Sequence, residues 1–137
     1  DRYGRFKVLA IGYFVRGVGF ILLTFFVSNK ATFFLATLVA AAPIYVTITA
    51  TQALIYEIFG AGIAGRMLGF TFVLHQVGSS IGPWLGGRLY ESSGDYTLAL
   101  MLGAGVLFAS SVLTAYLPIT VRRSRFIPAE MAPVGRP

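Results

Sequence analysis

Four long apolar runs, separated by short polar segments, dominate the chain. They cover residues 8–27, 32–55, 67–89 and 98–117. A helix needs about 20 apolar residues to cross the hydrocarbon core of a bilayer, and each run has that length. A membrane β-barrel would instead show alternating segments of about ten residues, which this pattern lacks. The pattern therefore predicts an all-α, polytopic membrane protein with four transmembrane helices.

The composition supports a membrane protein over a soluble one. Of the 137 residues, 56% are hydrophobic and 12% are charged, and the mean hydropathy is +0.77. Soluble domains carry about 25% charged residues. The net charge of +6 would suit nucleic acid only if the basic residues shared one soluble face, whereas here they lie at the ends of apolar runs. We therefore expect a lipid bilayer, and no nucleic acid, as a partner.

The distribution of basic residues predicts an orientation. Eight of the eleven fall on one predicted side of the membrane: Arg2, Arg5, Lys7, Arg66, Arg122, Arg123, Arg125 and Arg136. Lys30 and Arg88 fall on the other side, and Arg16 lies inside the first run. Basic residues are enriched in cytoplasmic segments. Both ends are thus predicted to be cytoplasmic in a plasma-type membrane, with a loop over residues 1–7 and a basic tail over residues 118–137.

The third run carries regularly spaced small residues. Gly78, Gly82 and Gly86 are four apart and share one helix face, and Gly87 follows directly. Small residues let helices pack closely in lipid. Pro83 removes one backbone hydrogen bond from this face and favours a bend. The run predicts a helix-packing and bending motif, which either makes a static contact or allows helices to rock.

Two motifs resemble those of one transporter family. The string G-x-x-x-G-P-x-x-G-G over residues 78–87 resembles a pattern of the major facilitator superfamily of secondary transporters, and "DRYGR" at residues 1–5 resembles the core of its cytoplasmic loop signature. The resemblance implies a fold of twelve helices in two pseudo-symmetric halves. The four predicted helices would be part of that fold, and since the chain opens on Asp1 rather than Met, further helices of the same polypeptide are expected to precede it.

Two further segments resemble loops of the monocarboxylate and oxalate–formate carriers. Residues 56–70 resemble the loop before their eleventh helix, and residues 89–96 the loop after it, with Glu91 where Asp is usual. This resemblance implies helices nine to twelve. A similar glycine-proline pattern is known in the fifth helix, so helices three to six are the alternative.

The resemblance implies roles for several polar residues. In the family, the loop that corresponds to Asp1, Arg2 and Arg5 uses charge pairs to hold one side of the transporter shut; simple anchoring on the cytoplasmic side is the alternative. Helix ten lines the central cavity, which would place a polar stripe of the second run in contact with substrate: Tyr45, Thr49, Gln52 and Tyr56. These residues share one face, and hydrogen bonding between helices would also explain them.

The remaining candidates lie inside the first and third runs. His75, Gln76 and Ser79 could contact substrate or, through the histidine, a proton, although hydrogen-bonded packing would also explain them. Arg16 lies about 12 Å into its run at 1.5 Å per residue, a depth at which a charge is costly. Its side chain can snorkel toward the cytoplasm or pair with Glu57, or else contact substrate.

These observations favour a secondary active transporter that moves a small solute, such as an organic anion, by alternating access on a proton or counter-solute gradient. The chain contains no phosphate-binding G-x-x-x-x-G-K-[ST] sequence, so ATP is not implied. A drug–proton antiporter of the same superfamily and a stand-alone, oligomerising four-helix membrane protein are the alternatives. An enzyme is not expected, because one histidine, no cysteine and carboxylates only at run ends supply no catalytic set. For the same reason neither a metal nor a cofactor is predicted.

Overall fold

The computed structural model describes the backbone of residues 2–123 and the side chains of residues 4–117. Its helices are α1 (Arg2–Phe25), α2 (Lys30–Ala41), α3 (Pro43–Ser93) and α4 (Thr97–Arg123). Over the described residues the fold is all-α. Asp1 and the predicted tail beyond Arg123 lie outside the described backbone.

The turn between α1 and α2 is closed by two side chains, those of the N-cap residue Asn29 and of Thr32 in α2. The Asn29 side chain accepts a hydrogen bond from the backbone N–H of Thr32 at 2.9 Å. The Thr32 hydroxyl oxygen in turn accepts one from the backbone N–H of Asn29 at 3.1 Å. This reciprocal arrangement satisfies backbone donors that a helix start leaves free. It fixes the point at which the chain reverses after α1.

The junction of α2 and α3 is a proline break rather than a loop. Ala42 keeps right-handed helical backbone angles, and Pro43 opens α3. Proline is tolerated in the first turn of a helix, because its missing N–H would have no partner there. The second predicted run, residues 32–55, is therefore divided between α2 and the first part of α3.

The predicted loop between the second and third runs is helical. Within α3, Gly60 alone departs from helical geometry, with φ 70° and ψ 166°. A positive φ is accessible to glycine at little cost, so the chain bends there without stopping. Residues 57–66 contain no proline, and nothing else in them ends the helix. The second and third runs therefore form one helical stretch from Lys30 to Ser93, and the described residues hold three helical stretches long and apolar enough to span a membrane.

The end of α3 is a tight turn into α4. Gly94 has a left-handed φ of 79°, and its N–H bonds to the Tyr90 carbonyl at 2.8 Å. The Asp95 side chain then accepts a hydrogen bond from the backbone N–H of Thr97, the first residue of α4, at 2.9 Å. Tyr90 and Tyr96 stack across the turn with their ring centroids 4.6 Å apart.

Helix α1 is the centre of the packing and contacts α2, α3 and α4. Its Phe6 and Leu9 form the main buried cluster with Ala50 and Leu54 of α3. On another side, Ser111 of α4 donates a hydrogen bond to the Ala10 carbonyl at 2.7 Å. These contacts set the register of α1 against α3 and α4.

Large apolar side chains cover the outside of the helices. Phe34, Val106 and Leu113 each leave about two-thirds of their surface exposed. Exposed apolar surface on this scale is typical of contact with lipid or with other apolar helices. With the three spanning-length stretches, it establishes a polytopic, all-α membrane fold.

Candidate functional site

A charge pair joins the start of α1 to the first third of α3. Arg5 Nη1 lies 2.9 Å from Glu57 Oε1, and both side chains are partly exposed. The apolar cluster beneath the pair, which contains Phe6 and Leu54, holds the two helices together at this level. Partly exposed ion pairs contribute about 1 kcal/mol or less to stability. The pair is therefore weak enough to break and re-form.

Only one of the two carboxylate oxygens of Glu57 takes part in this pair. Its Oε2 atom is buried and has no hydrogen-bond partner among the described residues. A buried carboxylate oxygen without a donor is unfavourable, so the site can accept a further bond. Of the three residues of the predicted charged loop, only Arg5 has a described side chain; Asp1 and the side chain of Arg2 lie outside the described residues.

The pairing of Arg16 with Glu57, one of the possibilities that the sequence left open, is not present, because Glu57 pairs with Arg5. Helices α1 and α3 run antiparallel, and a Cβ built on Gly12 would meet the Thr47 side chain at 2.7 Å. Arg16 lies one turn beyond Gly12, whereas Glu57 lies ten residues from Thr47 in the opposite direction. Ten residues of helix correspond to about 15 Å, which no side-chain contact can bridge.

Arg16 itself is half-buried and its Nε atom is enclosed without a hydrogen-bond partner in the described part of the chain. It shares a face of α1 with Gly12 and Gly19, which pack against Thr47 and Ala40. The sequence identified Arg16 as unusual. Its position beside the junction of α2 and α3 results from how α1 packs against these helices, and sequence spacing alone could not predict it.

The predicted polar stripe lies on the side of α3 that faces away from α1. Tyr45, Thr49, Gln52 and Tyr56 are all exposed, whereas Thr47, Ala50 and Leu54 on the opposite side are buried. The Thr49 hydroxyl donates within its own helix, to the Tyr45 carbonyl at 3.0 Å. The stripe is thus unused in packing among the described helices.

The candidates of the third run lie in the second part of α3. His75, Gln76 and Ser79 are exposed, at least 19 residues along the same helix from the stripe. The structure therefore does not bring the two groups of cavity candidates together. Across residues 4–117, no three His, Cys, Asp or Glu side chains converge on a point where a metal could bind.

The glycine-proline motif is helical, and its glycines make no close contact with the other described helices. A Cβ built on Gly78, Gly82, Gly86 or Gly87 would meet nothing within 4 Å, and the helix continues through Pro83. The motif therefore makes no close packing contact with the other described helices. Gly82 does border an open apolar hollow of about 680 Å³, which Phe20, Tyr96 and Ala99 also line.

Close helix packing instead uses glycines that sequence reasoning missed. Gly19 lies against the backbone of Ala40, Gly17 against the ring of Phe108, and Gly103 against the ring of Phe20. The spacing of seven between Gly12 and Gly19 was a detectable signal, since it returns to one helix face. The Arg5–Glu57 pair was also detectable, because two neighbouring antiparallel spans bring these charged ends to one level.

Comparison with known proteins assigns the chain to a family. The family model described as Major Facilitator Superfamily matches residues 1–135. No curated protein and no solved structure matches the chain.

Proposed function

The chain belongs to the Major Facilitator Superfamily of transporters, and on that premise we propose that it forms part of a secondary active transporter for small organic anions. Transport would proceed by alternating access, driven by a proton or counter-solute gradient. In this proposal the chain supplies helices nine to twelve, with both ends in the cytoplasm. Helices that precede Asp1 in the same polypeptide complete the assembly.

The observation that carries the proposal is the Arg5–Glu57 pair. It ties the charged segment at the start of α1 to α3 at 2.9 Å. A pair that exists in one of two conformations favours that conformation by its own free energy. For a partly exposed pair this is about 1 kcal/mol, or roughly a fivefold change in population. Such a pair can favour the closed state of the transporter and still allow the transporter to open.

The solute would contact the unpacked face of α3. Tyr45, Thr49 and Gln52 offer hydroxyl and amide groups on a face that the described helices leave free. In a complete transporter this face would line the central cavity, and His75, Gln76 and Ser79 would approach it from the neighbouring span. Polar groups in membrane helices face the protein interior or water, which supports this placement.

The preference for an anion rests on charge. The chain carries eleven basic and five acidic residues, and one of the basic residues lies within a span. The resemblance of residues 56–70 and 89–96 to carboxylate carriers points the same way. A drug–proton antiporter is the second candidate, because the glycine-proline pattern of residues 78–87 resembles one that is frequent in those exporters.

Uptake by the complete protein in proteoliposomes tests the proposal. The vesicles are preloaded with unlabelled solute, and the entry of labelled lactate, oxalate or a lipophilic cationic dye is measured with and without a pH gradient. We expect carboxylate entry that exceeds that of protein-free vesicles. Dye movement coupled to protons without carboxylate entry would favour the antiporter, and movement of none of them would contradict the proposal.

A further inference from the structure

Positive charge is distributed unequally between the two ends of the described helices. Residues 1–7 and 118–123 hold five basic residues and one acidic residue. At the opposite end, residues 26–32 and 84–97 hold two basic and two acidic residues. Glu57, which also lies at the first end, is bound to Arg5 at 2.9 Å. After this pairing the first end still carries a surplus of positive charge, and the second end carries none.

Helices α1 and α4 run antiparallel, which places the start of α1 beside the end of α4. Ser111 of α4 donates a hydrogen bond to the Ala10 carbonyl of α1 at 2.7 Å. The rings of Phe14 and Phe108 meet with their centroids 5.5 Å apart. Phe14 is 52% exposed, so this aromatic contact lies at the outer edge of the helix pair. From this contact both helices extend toward the same basic end, α1 by its start and α4 by its last turns.

Four basic residues lie at this end, and we call them the basic cluster: Arg2, Lys7, Arg122 and Arg123. At 1.5 Å per residue, Lys7 lies about 10 Å from the aromatic contact along the helix axis, Arg2 about 18 Å and Arg122 about 21 Å. Lys7 is one heptad from the ring in α1, and Arg122 is two heptads from the ring in α4. Both backbone positions therefore return to nearly the helix faces that make the contact. The packing of α1 against α4 thus brings the cluster together at one end.

The basic cluster begins at the edge of the apolar layer. Lys7 is exposed and directly precedes the apolar run that begins at Val8. Tyr116 of α4 is 65% exposed and lies about 12 Å from the aromatic contact, at nearly the level of Lys7. Tyrosine is enriched at the boundary between hydrocarbon and headgroups. The backbone of the arginines in the cluster lies farther out, at the level of the lipid headgroups.

The helix surface on the membrane side of the basic cluster is apolar and open. Val8, Ile11 and Leu113 are exposed by 42%, 62% and 66%. An exposed apolar surface that ends in positive charge matches the two parts of an anionic lipid, because acyl chains cover the first and a phosphate pairs with the second. A nucleic acid or an acidic soluble protein would use the charge alone.

We infer that the basic cluster binds the phosphate of anionic lipids, such as phosphatidylglycerol, in the leaflet at this end of the chain. Each Lys or Arg near an anionic surface strengthens binding roughly fivefold. Arg5 is not part of the cluster, because Glu57 neutralises it. The same end is the one predicted to be cytoplasmic, where the leaflet is negatively charged. The lipid site lies on the outside of α1 and α4, separate from the solute-binding face proposed on α3.

Lipid titration followed by native mass spectrometry tests the inference on the complete protein in a neutral detergent. Phosphatidylglycerol and phosphatidylcholine with identical acyl chains are added separately, and the Kd of the first bound lipid is measured. We expect phosphatidylglycerol to bind at least about tenfold more tightly. Equal affinities would overturn the inference. Because no transport is measured, the result does not depend on the proposed function.

Variants locate the site. In the triple variant Lys7→Gln, Arg122→Gln, Arg123→Gln, the preference for phosphatidylglycerol should fall to about twofold or less. The double variant Lys30→Gln, Arg88→Gln removes two basic residues from the opposite end and should keep the full preference. An undiminished preference in the triple variant would overturn the inference. If that variant does not fold, Lys7→Gln alone should weaken phosphatidylglycerol binding roughly fivefold, and an unchanged Kd would overturn the inference as well.

Inorganic phosphate distinguishes a lipid site from a site for free phosphate. Added at the same ionic strength as a chloride control, it should displace no more phosphatidylglycerol than chloride does, because the acyl chains contribute to the binding of the lipid. Specific displacement by inorganic phosphate would mean that the basic cluster is a site for soluble anions, and it would overturn the inference.

Discussion

Individual residues in this protein are constrained most tightly where helix backbones approach each other. Gly19 lies against Ala40 so closely that an added Cβ would come within 2.6 Å of its backbone. Gly105 in α4 has open space at the same position. Both residues are glycines inside a helix, and they differ in what surrounds them. The contact, rather than the residue type, determines which one can be replaced.

Replacing Gly19 is expected to separate α1 from α2. Gly19→Ala forces the backbone of Ala40 to move, and overpacking of this kind costs about 1–3 kcal/mol. Gly105→Ala should be neutral or slightly stabilising, because alanine favours helix by about 1 kcal/mol over glycine. Thermal unfolding of the two variants in detergent provides the comparison. Equal unfolding temperatures would show that the α1–α2 contact is not tight.

At the scale of helices, α3 presents two different faces. One face buries Thr47 and Ala50 against α1, and the other exposes Tyr45, Thr49 and Gln52. The polar stripe was predictable from spacing alone, since offsets of three and four define one helix face. Which face would meet α1 was not predictable, because both contain threonine and both are bordered by apolar residues. The packing of Leu9 and Phe6 decides it.

Accessibility of the two faces to water provides a test. In a cysteine-free version of the complete protein, Thr49→Cys should react with a water-soluble thiol reagent, and transported solute should slow the reaction. Thr47→Cys is the matched control, since Thr47 is 4% exposed and should react little. Reaction of Thr47→Cys alone would mean that the cavity lies on the opposite face of α3.

At the scale of the whole molecule, the stretch from Lys30 to Ser93 is too long for one crossing. Its 64 residues would extend over about 96 Å if straight, against a hydrocarbon core of about 30 Å. The apolar runs predicted the helices, since the run lengths alone indicate spans. They did not predict the continuous α3, because the eleven-residue segment between the second and third runs has no proline and can continue as helix. Glu57 and Arg66 flank its one non-helical residue, Gly60.

The side of the membrane on which Arg66 lies follows from that arrangement. If the stretch crosses the bilayer twice, residues 57–66 reverse the chain on the cytoplasmic side. A cysteine at position 66 should then be labelled by a membrane-impermeant thiol reagent only from the cytoplasmic face. A cysteine at Lys30 should be labelled only from the opposite face. Labelling of both from the same side would contradict the four-span topology.

The most direct test of the transporter account is a charge exchange at the pair that joins α1 to α3. Arg5→Glu and Glu57→Arg each place like charges at a contact of 2.9 Å. In proteoliposome uptake assays on the complete protein, we expect each single variant to lose most transport and the double exchange to recover much of it. Full transport by both single variants, or no recovery in a folded double variant, would contradict the account.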